Sequence, residues 1–151
     1  MINSFRGDYG FLSNFWYVDI VYDAVYPTNE HFFQAMKTIY AESRAAIAIA
    51  RTPAEAKRLG KIVPLRPDWH SIRLAVMELG LRKKFSYALL AQKLMQTYPE
   101  ELVEGNWWHD KFWGVDFRTG EGENHLGRLL QIVRADLMNH VPLIKGPDPI
   151  F

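Results

Sequence analysis

The stretch Phe15-Trp16-Tyr17-Val18-Asp19-Ile20-Val21-Tyr22-Asp23-Ala24-Val25-Tyr26 runs straight into Pro27-Thr28-Asn29-Glu30-His31-Phe32-Phe33-Gln34-Ala35-Met36-Lys37, and the change of pattern between them decides the fold. The first half is aromatic and β-branched, which predicts a β-hairpin over 15–26 with its turn near Asp23-Ala24. Asp-Ala is a weaker turn former than Asp-Gly, so the sequence alone leaves the turn's position open. In the second half Thr28 stands where a helix N-cap belongs. Phe32, Ala35, Met36, Ile39 and Tyr40 then recur with helical period as one apolar stripe. Glu30, Gln34 and Lys37 fall on another side of the same helix, whose pattern continues through an alanine-rich stretch to Ala50. A hairpin feeding a helix sets an α+β class.

The rest of the chain adds mostly helices. Thr52-Pro53-Ala54-Glu55 is a capping box with proline at the first helical position, and Gly60 closes that short helix. Val63 to Pro67 reads as a rigid connector. A longer helix from about Asp68 places Ile72, Ala75, Val76 and Leu79 inward. Another from about Ser86 carries Leu89, Leu90 and Leu94 and stops before Pro99. Leu102-Val103 reads as a short buried strand, and residues 104–123 as one long loop. The last helix starts near Asn124 with Leu126, Leu129, Leu130, Val133 and Leu137 on one stripe, and an irregular tail runs from Pro142 to Phe151. The expectation is a mostly helical α+β single domain spanning 1–151, with a small hairpin or sheet.

Composition narrows the chemistry. At 151 residues, with 48% apolar residues, such a chain buries roughly 68–70% of its unfolded surface. It has no cysteine, which removes disulfides, thiolate nucleophiles and cysteine-held metal clusters. The N-terminus has no apolar signal core and no segment approaches a membrane span, so the chain reads as cytoplasmic. With 18 basic and 17 acidic residues, broad electrostatic coating of nucleic acid is not expected, though a local phosphate pocket remains compatible. The basic run Arg82-Lys83-Lys84 reads as a solvated helix end. Five histidines show no metal-ligand spacing, so neither a metal nor a cofactor is expected.

Three segments could carry chemistry. Glu30, Gln34 and Lys37 could line one pocket, or be an ordinary solvated helix face. The carboxylate sits in the first turn, where the helix dipole favours it, and Tyr26, Phe32 and Phe33 flank it. Asn106-Trp107-Trp108-His109-Asp110-Lys111-Phe112-Trp113-Gly114 crowds tryptophans around a histidine and an aspartate. The indoles could stack on a base or plug the core, and Asp110 could orient a hydroxyl or activate water. Gly120 to Gly127 enters a helix with either a phosphate site or an Asn124 N-cap. Trp69 suits stacking and core packing equally.

In order and spacing these segments resemble the YbiA-like family, also called NADAR domains for an association with NAD and ADP-ribose. The resemblance lies in Phe11-Leu12-Ser13-Asn14-Phe15, Tyr26 to Lys37, Gly60-Lys61 with Pro64-Leu65-Arg66 and Trp69, Met77-Glu78, and Lys84-Phe85. It continues through Leu102-Val103-Glu104, Asp110 to Gly114 and Gly122 to Gly127, and covers about Phe5 to Leu137. It implies an α+β fold and hydrolysis of N-glycosidic bonds. The implied substrates are phosphorylated aminopyrimidine intermediates of riboflavin synthesis, or ADP-ribosyl-guanine in DNA. The chain departs from the family at Asp23-Ala24, at Asn29 and over Val115 to Arg118, and the last departure bears on substrate identity.

By that match Glu30, Lys37 and Asp110 are the expected catalytic residues. Asn14, Gln34, Trp69, Trp113, Gly114 and Asn124 are the expected substrate contacts. Breaking a ribose–nitrogen bond builds positive charge on the anomeric carbon, so an anion and an activated water are needed, and Glu30 is the expected carboxylate. Lys37 would hold a ribose phosphate or help the leaving base accept a proton. The expected partner is a ribosyl-phosphate or ADP-ribose-containing small molecule, or ADP-ribosylated DNA. The rival reading is a non-catalytic ADP-ribose or nucleotide reader built on the same pocket.

Overall fold

The sheets are small because only short stretches alternate. In the computed structural model, which describes Met1–Phe151, β1 (Tyr17–Val21) and β2 (Val25–Thr28) form an antiparallel hairpin. The register pairs Val21 with Val25 and Ile20 with Tyr26, and an irregularity precedes the pair Tyr17 with Thr28. The turn therefore lies at Tyr22 to Ala24, and Pro27-Thr28 belongs to the second strand rather than to the helix. Six α-helices follow the chain: α1 (Asn29–Ala35), α2 (Ala41–Ala48), α3 (Pro53–Gly60), α4 (Trp69–Lys84), α5 (Ala88–Gln96) and α6 (His125–Met138). A 3-10 helix covers Gly7–Leu12, and β3 (Gly105–Asn106) pairs in parallel with β4 (Val115–Asp116). This is the mostly helical α+β architecture expected, and no helix is long and apolar enough to cross a membrane.

The chain divides into two compact units, each stitched from separate stretches. One unit comprises Asn14–Lys84 and Ile144–Phe151. Its centre is α1, every residue of which is buried. Tyr26 and Phe32 meet edge to face at 5.8 Å, and Phe33 packs on Trp69 at 5.0 Å. Arg44 of α2 ties this unit together. Its guanidinium donates to Asp23 (3.0 Å), to the Thr38 carbonyl (2.8 Å) and to the Phe151 carbonyl (3.1 Å). Asp23 in turn accepts from the Tyr26 hydroxyl at 2.6 Å, and burial, reinforced by this bond, pushes that phenol's pKa upward. The tail closes against the hairpin, with the Tyr22 hydroxyl accepting from Phe151 N at 2.9 Å.

The other unit comprises Met1–Ser13 and Phe85–Leu143. Here α5 packs on α6, and Leu90, Ala91 and Leu94 of the one and Leu126, Leu130 and Val133 of the other are buried. Leu102 is fully buried and bridges Ile2, with Val103 N bonding the Ile2 carbonyl at 2.8 Å. Arg134 of α6 donates to the Thr97 hydroxyl and the Glu100 carbonyl.

Several expectations are corrected. The single helix to Ala50 breaks after Ala35, leaving Ile39 and Tyr40 60% and 56% exposed rather than on a buried stripe. The break has a local cause. Arg66 N takes the Lys37 carbonyl at 2.8 Å, Arg44 takes that of Thr38, and the Thr38 hydroxyl accepts from Tyr40 N. Acceptors that would continue the helix are thus occupied from outside. In α4 the buried face runs through Trp69, Val76, Met77, Leu79, Gly80, Leu81 and Lys84, while Ala75 faces solvent. Leu89 is likewise exposed. The basic run is not a solvated end, since Lys84 has no exposed surface and burial lowers its pKa to about 7. The capping box holds in altered form: Thr52 accepts from Glu55 N at 3.1 Å, but Glu55 reaches back to Arg51 N. The long loop contains β3 and β4.

Candidate active site

Helix α1 buries polar residues by giving each a local answer. Thr28 caps the helix, accepting from His31 N at 3.1 Å and meeting His31 Nδ1 at 2.7 Å, while His31 Nε2 reaches the Ala50 carbonyl at 3.0 Å. Burial lowers the His31 pKa, so the ring is neutral, with Nε2–H donating and Nδ1 accepting from the threonine hydroxyl. Glu30 N donates to the Asn14 carbonyl at 3.0 Å, which anchors the first turn. Glu30 is 7% exposed, and its carboxylate accepts from Gln34 Nε2 at 2.9 Å. Asn14 and Asn29 join through their amides at 2.9 Å, and both amide nitrogens approach Met77 Sδ at 3.5 Å.

Two amide oxygens of this group, Asn29 Oδ1 and Gln34 Oε1, have no hydrogen-bond donor. Both lie against glycines of neighbouring helices. A Cβ at Gly80 would stand 1.9 Å from Asn29 Oδ1, and one at Gly60 would stand 1.9 Å from Gln34 Oε1. The glycines let α3 and α4 approach a helix whose buried face is polar. Sequence reading took Gly60 as a helix stop, noted Asn29 only as a departure from the family pattern, and passed over Gly80. The available signal was a glycine inside an otherwise regular helix pattern.

Lys37 lies just beyond α1, half-buried, with its ammonium 5.9 Å from the Phe33 ring centroid. Burial is the largest influence on it and lowers its pKa. Glu30 opposes that shift, and Lys57 and Lys61 add to it. Trp69 belongs to the same unit but is 5% exposed, with its indole packed on Phe33. In this unit, therefore, Asn14, Glu30 and Gln34 form one bonded group, with Lys37 beyond the end of the helix.

The remaining expected residues gather in the other unit. Asp110 Oδ1 accepts from Phe112 N (3.1 Å) and Trp113 N (2.9 Å), a tight side-chain turn. Buried Asn106, which sequence reading gave no role, grips the Asp110 backbone at both its N–H and its carbonyl. Trp113 is half-buried and edge to face with Phe112 at 4.8 Å. Gly114 is crowded by Glu104, where a Cβ would stand 1.8 Å from the carboxylate. Asn124 occupies the N-cap position of α6 in a left-handed conformation (φ 54) without capping that helix. Its amide instead joins Glu104 N (3.0 Å) to the Leu102 carbonyl (2.9 Å). His109 pairs with buried Asp116 at 2.6 Å, not with its neighbour Asp110, and this bond holds the Asp116 carboxyl below the usual range. Trp107 and Trp108 are 57% and 50% exposed.

These features define a mostly helical α+β protein built around a buried carboxylate–amide group. The chain belongs to the NADAR domain family, whose profile matches residues 3–138. It is 40% identical over 134 residues to N-glycosidase YbiA of Escherichia coli strain K12, covering 86% of this chain and 82% of that protein. It is 37% identical over 139 residues to riboflavin biosynthesis protein VVA0006 of Vibrio vulnificus, covering 89% of this chain but 37% of that longer protein. The NMR structure of E. coli YbiA superposes with a TM-score of 0.80 at 36% identity, covering 92% of this chain and 86% of that one.

Proposed function

We propose that this chain is a hydrolase that cleaves the bond between the anomeric carbon of a ribose and the nitrogen of a base, in a phosphorylated or ADP-ribosylated substrate. The names of its relatives support the N-glycosidase class. The observation that carries the reading is Glu30, a buried residue whose carboxylate is held by Gln34 in the first turn of a helix buried along its whole length. Such a fixed anion stabilises an oxocarbenium-like carbon without reorganising.

The C–N bond breaks with its electron pair going to the base nitrogen. Water adds to the anomeric carbon and gives a proton to Glu30, while the departing base gains one. Lys37, with its lowered pKa, either supplies that proton or binds phosphate. Asp110 spends one oxygen on two backbone amides, which supports Glu30 as the carboxylate that activates water.

The test incubates the protein with ADP-ribosylated guanine in single-stranded DNA and with the phosphoribosyl aminopyrimidine, following base release by mass spectrometry. Release from either substrate, lost in Glu30→Gln, is the expected result, and it also chooses between a DNA and a metabolite substrate. ADP-ribose binding without release from either substrate would instead identify a nucleotide reader.

A further inference from the structure

The segment that joins β3 to β4 holds one side chain in a costly conformation. His109 has φ 64, in the left-handed region that a residue with a β-carbon seldom enters. Buried Asp116 keeps it there and holds a second residue as well. Its Oδ2 accepts from His109 Nδ1 at 2.6 Å and its Oδ1 from Arg118 N at 2.8 Å. The histidine bond keeps the Asp116 carboxyl below its usual range, so it is ionised and can only accept. That places the proton of a neutral His109 on Nδ1 and leaves Nε2 as an acceptor. Arg118 Nη1 faces this nitrogen at 3.4 Å, longer than an ordinary hydrogen bond.

One buried carboxylate therefore aligns two basic side chains at the surface. Arg118 is exposed, and its guanidinium meets the His109 ring but no carboxylate. The other charges of this loop are engaged: Glu121 takes Lys111 at 2.9 Å, and Asp110 caps the amides of Phe112 and Trp113. An oxyanion entering between ring and guanidinium improves the long contact. Nε2 takes up a proton from solvent, and Asp116 stabilises the imidazolium from behind. Nε2–H and Nη1–H then both donate to the anion. Asp116 and Arg118 lie in the stretch, Val115 to Arg118, where the chain departs from the family pattern.

We propose that His109 and Arg118, aligned by Asp116, bind the phosphate group of a phosphomonoester. Such a group brings three acceptor oxygens and close to two negative charges, enough for both donors. The site belongs to the unit of α5 and α6 and depends on neither Glu30 nor Lys37. Trp107 of the same loop, packed on Phe117 at 5.0 Å yet 57% exposed, offers a ring face to a base where the phosphate belongs to a nucleotide.

Calorimetry at pH 8 tests this with inorganic phosphate, ribose 5-phosphate and adenosine 5′-monophosphate, in two buffers of different ionisation enthalpy. Every protein carries Lys37→Ala, which removes the cation assigned to the proposed catalytic site, and His109→Gln and Arg118→Gln are added singly. The parent is expected to bind phosphate with uptake of a proton. Each added variant is expected to bind roughly tenfold or more weakly, as for loss of a charged hydrogen bond, and His109→Gln without proton uptake. Equal affinity for the three ligands identifies the phosphate group alone as what is read. Tighter binding of the nucleotide, with the gain lost in Trp107→Ala, identifies a nucleotide. The Arg118 side chain is exposed and meets only the His109 ring, so Arg118→Gln keeps the test decisive should His109→Gln unsettle the loop. No phosphate binding by the parent, binding without proton uptake, or an affinity unchanged by Arg118→Gln overturns the inference. Turnover of Glu30→Gln is read separately and bears only on the proposed mechanism.

Discussion

At the scale of single residues, the two expected carboxylates have different surroundings, and substitution separates their roles. Glu30→Gln keeps an acceptor oxygen for Gln34, so the fold is expected to survive while turnover falls by roughly 10²–10⁴. Circular dichroism and base release read the two effects separately. Asp110→Asn keeps the oxygen that caps Phe112 N and Trp113 N, so it should retain most activity. An Asp110→Asn protein as inactive as Glu30→Gln would move the base to Asp110. Lys37 adds a pH signature. Its lowered pKa means that its charge, and with it affinity for phosphate, is lost at lower pH than for an ordinary lysine. KM should therefore rise on the alkaline side of a pH series, and Lys37→Ala should raise KM throughout and flatten that rise.

At the scale of elements, α1 is a short helix buried on all sides with Asn29, Glu30, His31 and Gln34 in it, and it survives because neighbouring helices supply glycines where side chains would collide. Gly60→Ala puts a methyl into the space of Gln34 Oε1, and overpacking of this kind costs about 1–3 kcal/mol. A lower melting temperature is expected, with lower turnover as Gln34 shifts off Glu30. Adding Gln34→Ala removes the two closest collisions, with Oε1 and Cδ, leaving only Cβ at 3.0 Å, and should recover part of the stability but not the turnover. A Gly60→Ala protein as stable and active as wild type would refute the packing account. The hairpin, the α3 capping box and the apolar stripe of α6 were legible in the sequence because each is a local pattern. The break between α1 and α2 was not, because the groups that end α1 include Arg66, beyond α3 in the chain.

At the scale of the whole molecule, buried titratable groups couple stability to pH. Lys84 has a pKa near 7 in the native state against 10.5 for an ordinary lysine. Between those values the unfolded chain holds a proton that the native protein does not, so stability rises with pH across that window. His31, lowered from 6.5 by burial, acts in the same direction on the acid side: below 6.5 the unfolded chain takes up a proton first, and stability falls. Melting temperatures measured from pH 5 to 9 should climb with pH. Lys84→Met should flatten the upper part of the curve and His31→Gln the lower part. If both variants track the wild type, burial of these groups does not set the pH dependence.

The α+β class, most helix positions and the family resemblance are written in the sequence, along with the helix face that carries Glu30 and Gln34, whereas Lys37, expected on that face, falls beyond the end of α1. Hydrophobic period, caps and motif order all lie in neighbouring residues. Long-range packing set the burial of this face and made Gly60 and Gly80 the residues that leave room for the amides of α1. It also decided that Lys84 is sealed away, and that Asp110 and Asn124 hold backbone groups of their own loop. Each of these depends on which distant segment arrives at a given side chain, and no local pattern records the burial or the partner that results.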